Sequence, residues 1–183
     1  MNNQCKDYNK RQKQRLHLFF SVLTAVMASL SMVLDRFASF HASSLKIGFA
    51  FVPIVLVAIL CGPAYAAAAG AVADLVGALC FPFGPYHPGF TVTAALMGLV
   101  YGLFLHRDRL RWWQVAIPTA VNNLVFGLLI NTVWIMQLYG KKTYWAYLTG
   151  RLLTEYTVLI PLNLIFIPIL FRLSITLRNR MNF

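Results

Sequence analysis

Apolar runs of about membrane-crossing length recur along nearly the whole chain, at residues 16–34, 47–61, 64–80, 90–106, 112–138 and 145–171. The hydrocarbon of a bilayer is about 30 Å thick and needs roughly 20 apolar residues per helical crossing. Within lipid the backbone must satisfy its own hydrogen bonds, which a helix does inside one segment. With 59% hydrophobic and 11% charged residues in a chain of 183, a water-soluble fold would need a core larger than this length can enclose. The expectation is an all-α integral membrane protein with six transmembrane helices. The second and third runs are short and joined only by residues 61–64 (CGPA), so they form either a tight helical hairpin or a partly re-entrant pair.

The formal charge of +11 would suggest nucleic acid as a partner in a soluble chain. Between membrane spans its placement matters more. With six spans and both ends on one side, that side carries Lys6, Lys10, Arg11, Lys13, Arg15, Arg107, Arg109, Arg111, Arg172, Arg178 and Arg180. The other side keeps Arg36, Lys46, Lys141, Lys142 and Arg151. Eleven against five places both termini in the cytoplasm by the positive-inside rule. The basic amino terminus followed by an apolar run looks like a targeting signal, but five further runs follow with no small-residue cleavage pattern nearby, so the first run is read as retained. The longest polar stretch is the 15-residue amino terminus, which leaves one membrane domain over residues 1–183. It divides into a basic cytoplasmic segment 1–15, a six-helix bundle 16–175 and a cytoplasmic tail 176–183. The bilayer is its medium, and no nucleic acid is expected.

Catalytic chemistry has no foothold. There is no G-x-x-x-x-G-K-[ST] loop, no H-E-x-x-H and no G-x-S-x-G, and His17, His41, His87 and His106 are scattered over both sides of the membrane. Cys5, Cys61 and Cys80 lack paired metal-ligand spacing and read as free thiols acting as small hydrophobes. No catalytic residue, no metal and no cofactor of its own is expected, and the chain is not read as an enzyme.

What stands out is residues 81–90, FPFGPYHPGF, between two apolar runs. Pro82, Pro85 and Pro88 fix three φ angles while Gly84 and Gly89 are free to take positive φ, so the loop should hold one shape before a ligand arrives. A preformed loop loses less entropy on binding. The plainer alternative is that these residues only end one helix and start the next. In the inside-termini topology the loops after the first, third and fifth runs all face outward, and each mixes aromatic rings with polar or cationic groups. That combination suits a flat, partly charged small molecule. An interfacial aromatic belt accounts for Trp112, Trp113 and Tyr101 but not for the prolines.

Polar residues inside the spans are costly and need a partner or a task. Ala66, Gly70 and Asp74 recur every four residues, a close-packing groove with an acid at its end, for which an ion pair with Arg36, Lys46 or Arg151 is favoured over ligand contact. Asn123, Gly127 and Asn131 share a face with Trp134 three residues on, which reads as a pocket wall or as interhelical hydrogen bonding. Arg151 and Glu155 stand at i and i+4, able to pair with each other or to face a cavity. In the first run Ser21, Ala25 and Ser29 form a small-residue stripe that invites close packing against another helix.

The order of these features, from KIGFAFVPIVLVAILCGPAYAAAAGAVADLVGALCFPFGPYHPGFTVTAALMGLVYGLF through LINTVWI to RLLTEY, resembles the folate-specific S components of energy-coupling factor (ECF) vitamin transporters. The likeness covers about residues 20 to 155, and its most specific parts are the proline loop and the Asn-Thr-x-Trp of residues 131–134. It implies a six-helix membrane subunit that captures folate from outside. Its partners would be a transmembrane coupling subunit and two cytoplasmic ATPase subunits, which alone use ATP. The family offers an Ala-x-x-x-Ala face on its first helix to the coupling subunit; here the pattern is degraded to Ser21, Ala25 and Ser29. Folate joins a flat pterin, a benzoyl ring and a glutamate. Phe81, Phe83, Tyr86, His87, Phe90 and Trp134 would supply loop and stacking contacts, Asn131 and Glu155 would meet the pterin edge, and Arg36, Lys46 or Arg151 would meet the carboxylates. The competing expectations are an S component for another vitamin or a nucleobase-like compound, an intramembrane enzyme, and a stand-alone permease.

Overall fold

The computed structural model describes residues 2–37, 40–42, 45–82, 84–107, 109–140, 144–152 and 157–180. The chain forms α1 (Asn2–Phe37), a short ribbon of β1 (Phe40–Ala42) and β2 (Leu45–Ile47), then α2 (Phe51–Cys61), α3 (Pro63–Cys80) and α4 (Pro88–Leu105). A long rod follows, made of α5 (Trp112–Ala120), a π-helical stretch Val121–Ile130 and α6 (Asn131–Tyr139). The chain ends with α7 (Tyr144–Arg151) and α8 (Thr157–Arg180). Among the described residues, five helices are long and apolar enough to cross a membrane: Lys10–Phe37, Pro63–Cys80, Pro88–Leu105, Trp112–Leu138 and Leu159–Thr176.

The sixth apolar helix, α2, has 11 residues and spans about 16 Å at 1.5 Å per residue, half a bilayer. It survives because protein surrounds it. Val55, Val57 and Ala58 are fully buried, and α1, α3, α4 and α8 all pack against α2. Before it, β1 pairs antiparallel with β2, His41 opposite Lys46, and Ser31 in α1 donates to the Ala50 carbonyl at 2.7 Å, tying the start of α2 to α1. Of the two expected arrangements for α2 and α3, the structure adopts the helical hairpin. Gly62 turns it with φ of 92°, a left-handed conformation that side chains disfavour, and Pro63 opens α3, where its missing N–H costs nothing.

Packing between α3 and α4 follows from small residues. A Cβ on Gly98 would lie 2.2 Å from the Ala66 carbonyl oxygen, and one on Gly70 would lie 2.4 Å from that of Ala94. Hydrocarbon gives no hydrophobic drive to helix association, so such backbone-to-backbone contact supplies the dispersion energy that holds the pair. Asp74, the next residue along that α3 face, accepts a hydrogen bond from Thr91 of α4 at 2.7 Å.

Two expectations need correction. Residues 35 and 36 are not loop, because α1 continues to Phe37, and its other end starts at Asn2, so the basic amino terminus is helical. Tyr101 does not belong to an interfacial belt. It is 4% exposed and faces inward from α4, whereas Trp112 is 82% exposed.

Candidate functional site

The helices enclose a cavity of about 450 Å³, within the range of small-molecule sites, roughly 300–1,000 Å³. Its wall on α4 runs from Phe90 to Tyr101, about 16 Å along the helix axis, so the space is elongated. Met32 and Asp35 of α1, Phe51 and Ile54 of α2, and Ala73 and Asp74 of α3 close one side. Asn122, Asn123, Gly127 and Asn131 of the long rod form the other, with Arg151 from α7 and Asn163 from α8.

The rod presents two adjacent asparagines to this space because its middle is a π-helix. Pro118 lies inside α5 and has no N–H to donate to the preceding turn, and three residues later the hydrogen bonding widens to the i→i+5 pattern. A wider turn carries more residues on one face, so Asn122 and Asn123 are both buried. The Asn123 amide donates to Thr119 O at 2.8 Å, and the Asn122 amide donates to Met97 O at 3.0 Å. That second bond fixes the carboxamide.

Three carboxamide oxygens on this wall, those of Asn122, Asn131 and Asn163, are buried and accept no hydrogen bond among the described residues. A buried acceptor left unmatched costs about 1–3 kcal/mol. All three residues line the one cavity, so its wall carries acceptors that its own polypeptide leaves unmatched among the described residues.

The proline loop is anchored at its second end. His87 caps α4, its Nδ1 accepting from Gly89 N–H at 3.0 Å, and its ring stacks on Trp134 with centroids 5.0 Å apart and planes at 26°. Trp134 in turn donates from Nε1 to Thr93 Oγ1 at 3.1 Å. Gly89 permits this stack, since a Cβ there would sit 2.6 Å from the indole.

Of the residues proposed from sequence, the cavity wall brings together Phe90, Asn131 and Arg151, whose Nη1 donates to Thr132 Oγ1 at 3.3 Å. His87 and Trp134 stand behind Phe90, with the His87 and Phe90 rings edge to face at 6.2 Å. Phe81, Tyr86 and Arg36 lie elsewhere. Phe81 is 44% exposed and packs edge-on against Phe37, and Tyr86 turns its hydroxyl to Thr91 at 2.9 Å. Arg36 lies across Gly77 with its Nε 3.7 Å from Asp35. Lys46 sits on β2, while Phe83 and Glu155 fall outside the described residues. The exposed face of α1 carries Ser21, Ala25 and Ser29; Thr24, Ala28 and Ser31 point into the bundle. Asn163, Asp35 and Tyr101 were missed. Asn163 was findable, as an amide inside the apolar run VLIPLNLIF is as costly as those of the fifth run.

A cavity of this size, walled in part by amides inside a small helical membrane bundle, defines a substrate-binding subunit. The family model for the substrate-specific component of ECF transporters matches residues 19–171, and the chain belongs to that family of multi-pass bacterial membrane proteins. It is 32% identical over 146 residues to the folate transporter FolT of Clostridium novyi, covering 80% of this chain and 84% of that one. It is 31% identical over 163 residues to FolT of Leuconostoc mesenteroides, covering 86% and 83%. A crystal structure of FolT bound with folic acid superposes with a TM-score of 0.65 at 30% identity, covering 87% of this chain and 92% of that one.

Proposed function

We propose that this protein is the substrate-capture subunit of an ECF-type ABC transporter, taking folate from the extracellular side and passing it inward. A transmembrane coupling subunit and two cytoplasmic ATPases complete the machine, and the subunit itself holds no cofactor and catalyses no reaction. Kinship with folate transporters across more than four fifths of the chain supports the substrate. Both termini are cytoplasmic, as the eleven-to-five division of positive residues favours. The Phe90 end of the cavity then lies toward the outer face.

The observation that carries this reading is the set of unmatched carboxamide oxygens of Asn122, Asn131 and Asn163 around one cavity. A pterin edge bears an exocyclic amine and a ring N–H, the donors such oxygens lack. Phe90 provides a ring for the flat heterocycle, and Arg151, a cation on the wall, meets a glutamate carboxylate. The exposed Ser21, Ala25 and Ser29 of α1 offer a small-residue face to the coupling subunit.

Titrating the detergent-purified protein with folic acid while following tryptophan fluorescence tests this directly. Saturable quenching is expected with folic acid and none with thiamine or biotin. Equal responses to all three, or none to folic acid, would reject folate as the substrate. Arg151→Gln should lower affinity for folic acid more than for pteroic acid, which lacks the glutamate; equal losses would remove Arg151 from the carboxylate contact.

A further inference from the structure

Toward the Trp112 end of the long rod, α5 and α8 border a second, open groove of about 890 Å³. Its chemistry is unlike that of the cavity. Arg109 and Arg111, from the segment before α5, and Arg172, from α8, stand exposed around it. Its floor is apolar: Val115 and Phe171 are buried there, and Pro168 and Leu164 continue the surface along α8. Pro168 lies one turn before Arg172, so apolar floor and cation share a face of that helix. Arg111 is held in place through its backbone, whose N–H donates to Gln114 Oε1 at 2.8 Å, which leaves the guanidinium to its surroundings. No acidic residue among the described residues lines the groove, and none of the three guanidinium groups is ion-paired among them.

Three guanidinium groups beside an apolar trough fit an amphiphile with an anionic head. Guanidinium binds phosphate through paired N–H donors, and the trough takes hydrocarbon. With the termini inside, this groove opens to the cytoplasmic leaflet, where anionic lipids gather. Trp112, 82% exposed beside it, stands where an indole favours the headgroup level.

We propose that the groove between α5 and α8 binds one anionic phospholipid, its phosphate held by Arg109, Arg111 and Arg172 and an acyl chain lying along Val115, Leu164 and Phe171. The lipid clamps the segment before α5 to the end of α8. The assignment rests on the cytoplasmic placement of this end but not on the identity of the cavity's substrate.

The test is native mass spectrometry of the delipidated full-length protein titrated with phosphatidylglycerol or phosphatidylcholine of matched chains. One phosphatidylglycerol should be retained at concentrations at least tenfold below those needed for phosphatidylcholine. The double variant Arg111→Gln/Arg172→Gln should lose that preference. Ala116→Phe, which fills the apolar part and leaves the cations, should weaken both lipids. Unchanged folic acid affinity in each variant reports an intact fold. Equal retention of the two lipids by the wild type, or a preference that survives in the double variant, overturns the proposal. So does displacement of phosphatidylglycerol by soluble glycerol phosphate at similar concentration, which would mark a site for a free anion. Failure here leaves folate binding untouched, so the two readings fail separately.

Discussion

Gly89 shows how much a single atom decides. With hydrogen for a side chain it lets the Trp134 indole lie against the start of α4, and the indole supports the His87 ring that caps the same helix. Gly89→Ala places a methyl carbon where the indole now lies, so the stack must shift and the loop's anchor with it. Folic acid affinity should fall about tenfold, or about 1.4 kcal/mol, with a changed tryptophan emission spectrum; unchanged affinity and emission would separate the stack from binding. Asn131→Ala removes one of the unmatched acceptors and should cost about 1–3 kcal/mol, roughly ten- to a hundredfold in dissociation constant by calorimetry. At this scale the sequence was partly legible. An amide such as Asn131 inside an apolar run announces itself by cost, whereas Phe81 and Tyr86 carry no such mark. Whether an aromatic ring in a loop faces a cavity or a neighbouring helix depends on contacts dozens of residues away, as Phe81 against Phe37 demonstrates.

Among elements, the closest contact is that of α3 with α4, and its register rests on backbone meeting backbone at Ala66–Gly98 and Gly70–Ala94. Gly98→Leu would have to push the two helices apart, and overpacking of this kind costs about 1–3 kcal/mol or more. The expected outcome is a clear drop in melting temperature in detergent, with Gly84→Ala in the exposed loop as the unaffected comparison. A melting temperature equal to wild type would show that the contact is not tight. The four-residue spacing of Ala66 and Gly70 was visible in sequence, and so was the face it makes. The partner helix was not, because small residues declare closeness without naming a neighbour. The π-helical stretch was hidden too. Pro118 signalled a disturbed rod, but a ten-residue widening depends on what packs around Asn122 and Asn123.

For the molecule as a whole, orientation is the property with the widest consequences. Cys80 ends α3 and is exposed, so in intact cells expressing a Cys5→Ala/Cys61→Ala variant it should react with a membrane-impermeant maleimide. Labelling only after the membrane is breached would reverse the topology and with it the direction of substrate capture. The sequence alone determined that the chain is a bundle of membrane helices, how many runs it has, and which side its positive charge favours. These depend on quantities that add along the chain, namely the transfer free energy of apolar runs and the number of cations between them. Only the tertiary structure decided that α2 is a helix of 11 residues enclosed by its neighbours, and that amides from the rod and from α8 line one cavity. Those outcomes turn on which surfaces meet, and in hydrocarbon, where apolar surface gains little by leaving lipid, close fit between particular side chains makes that choice.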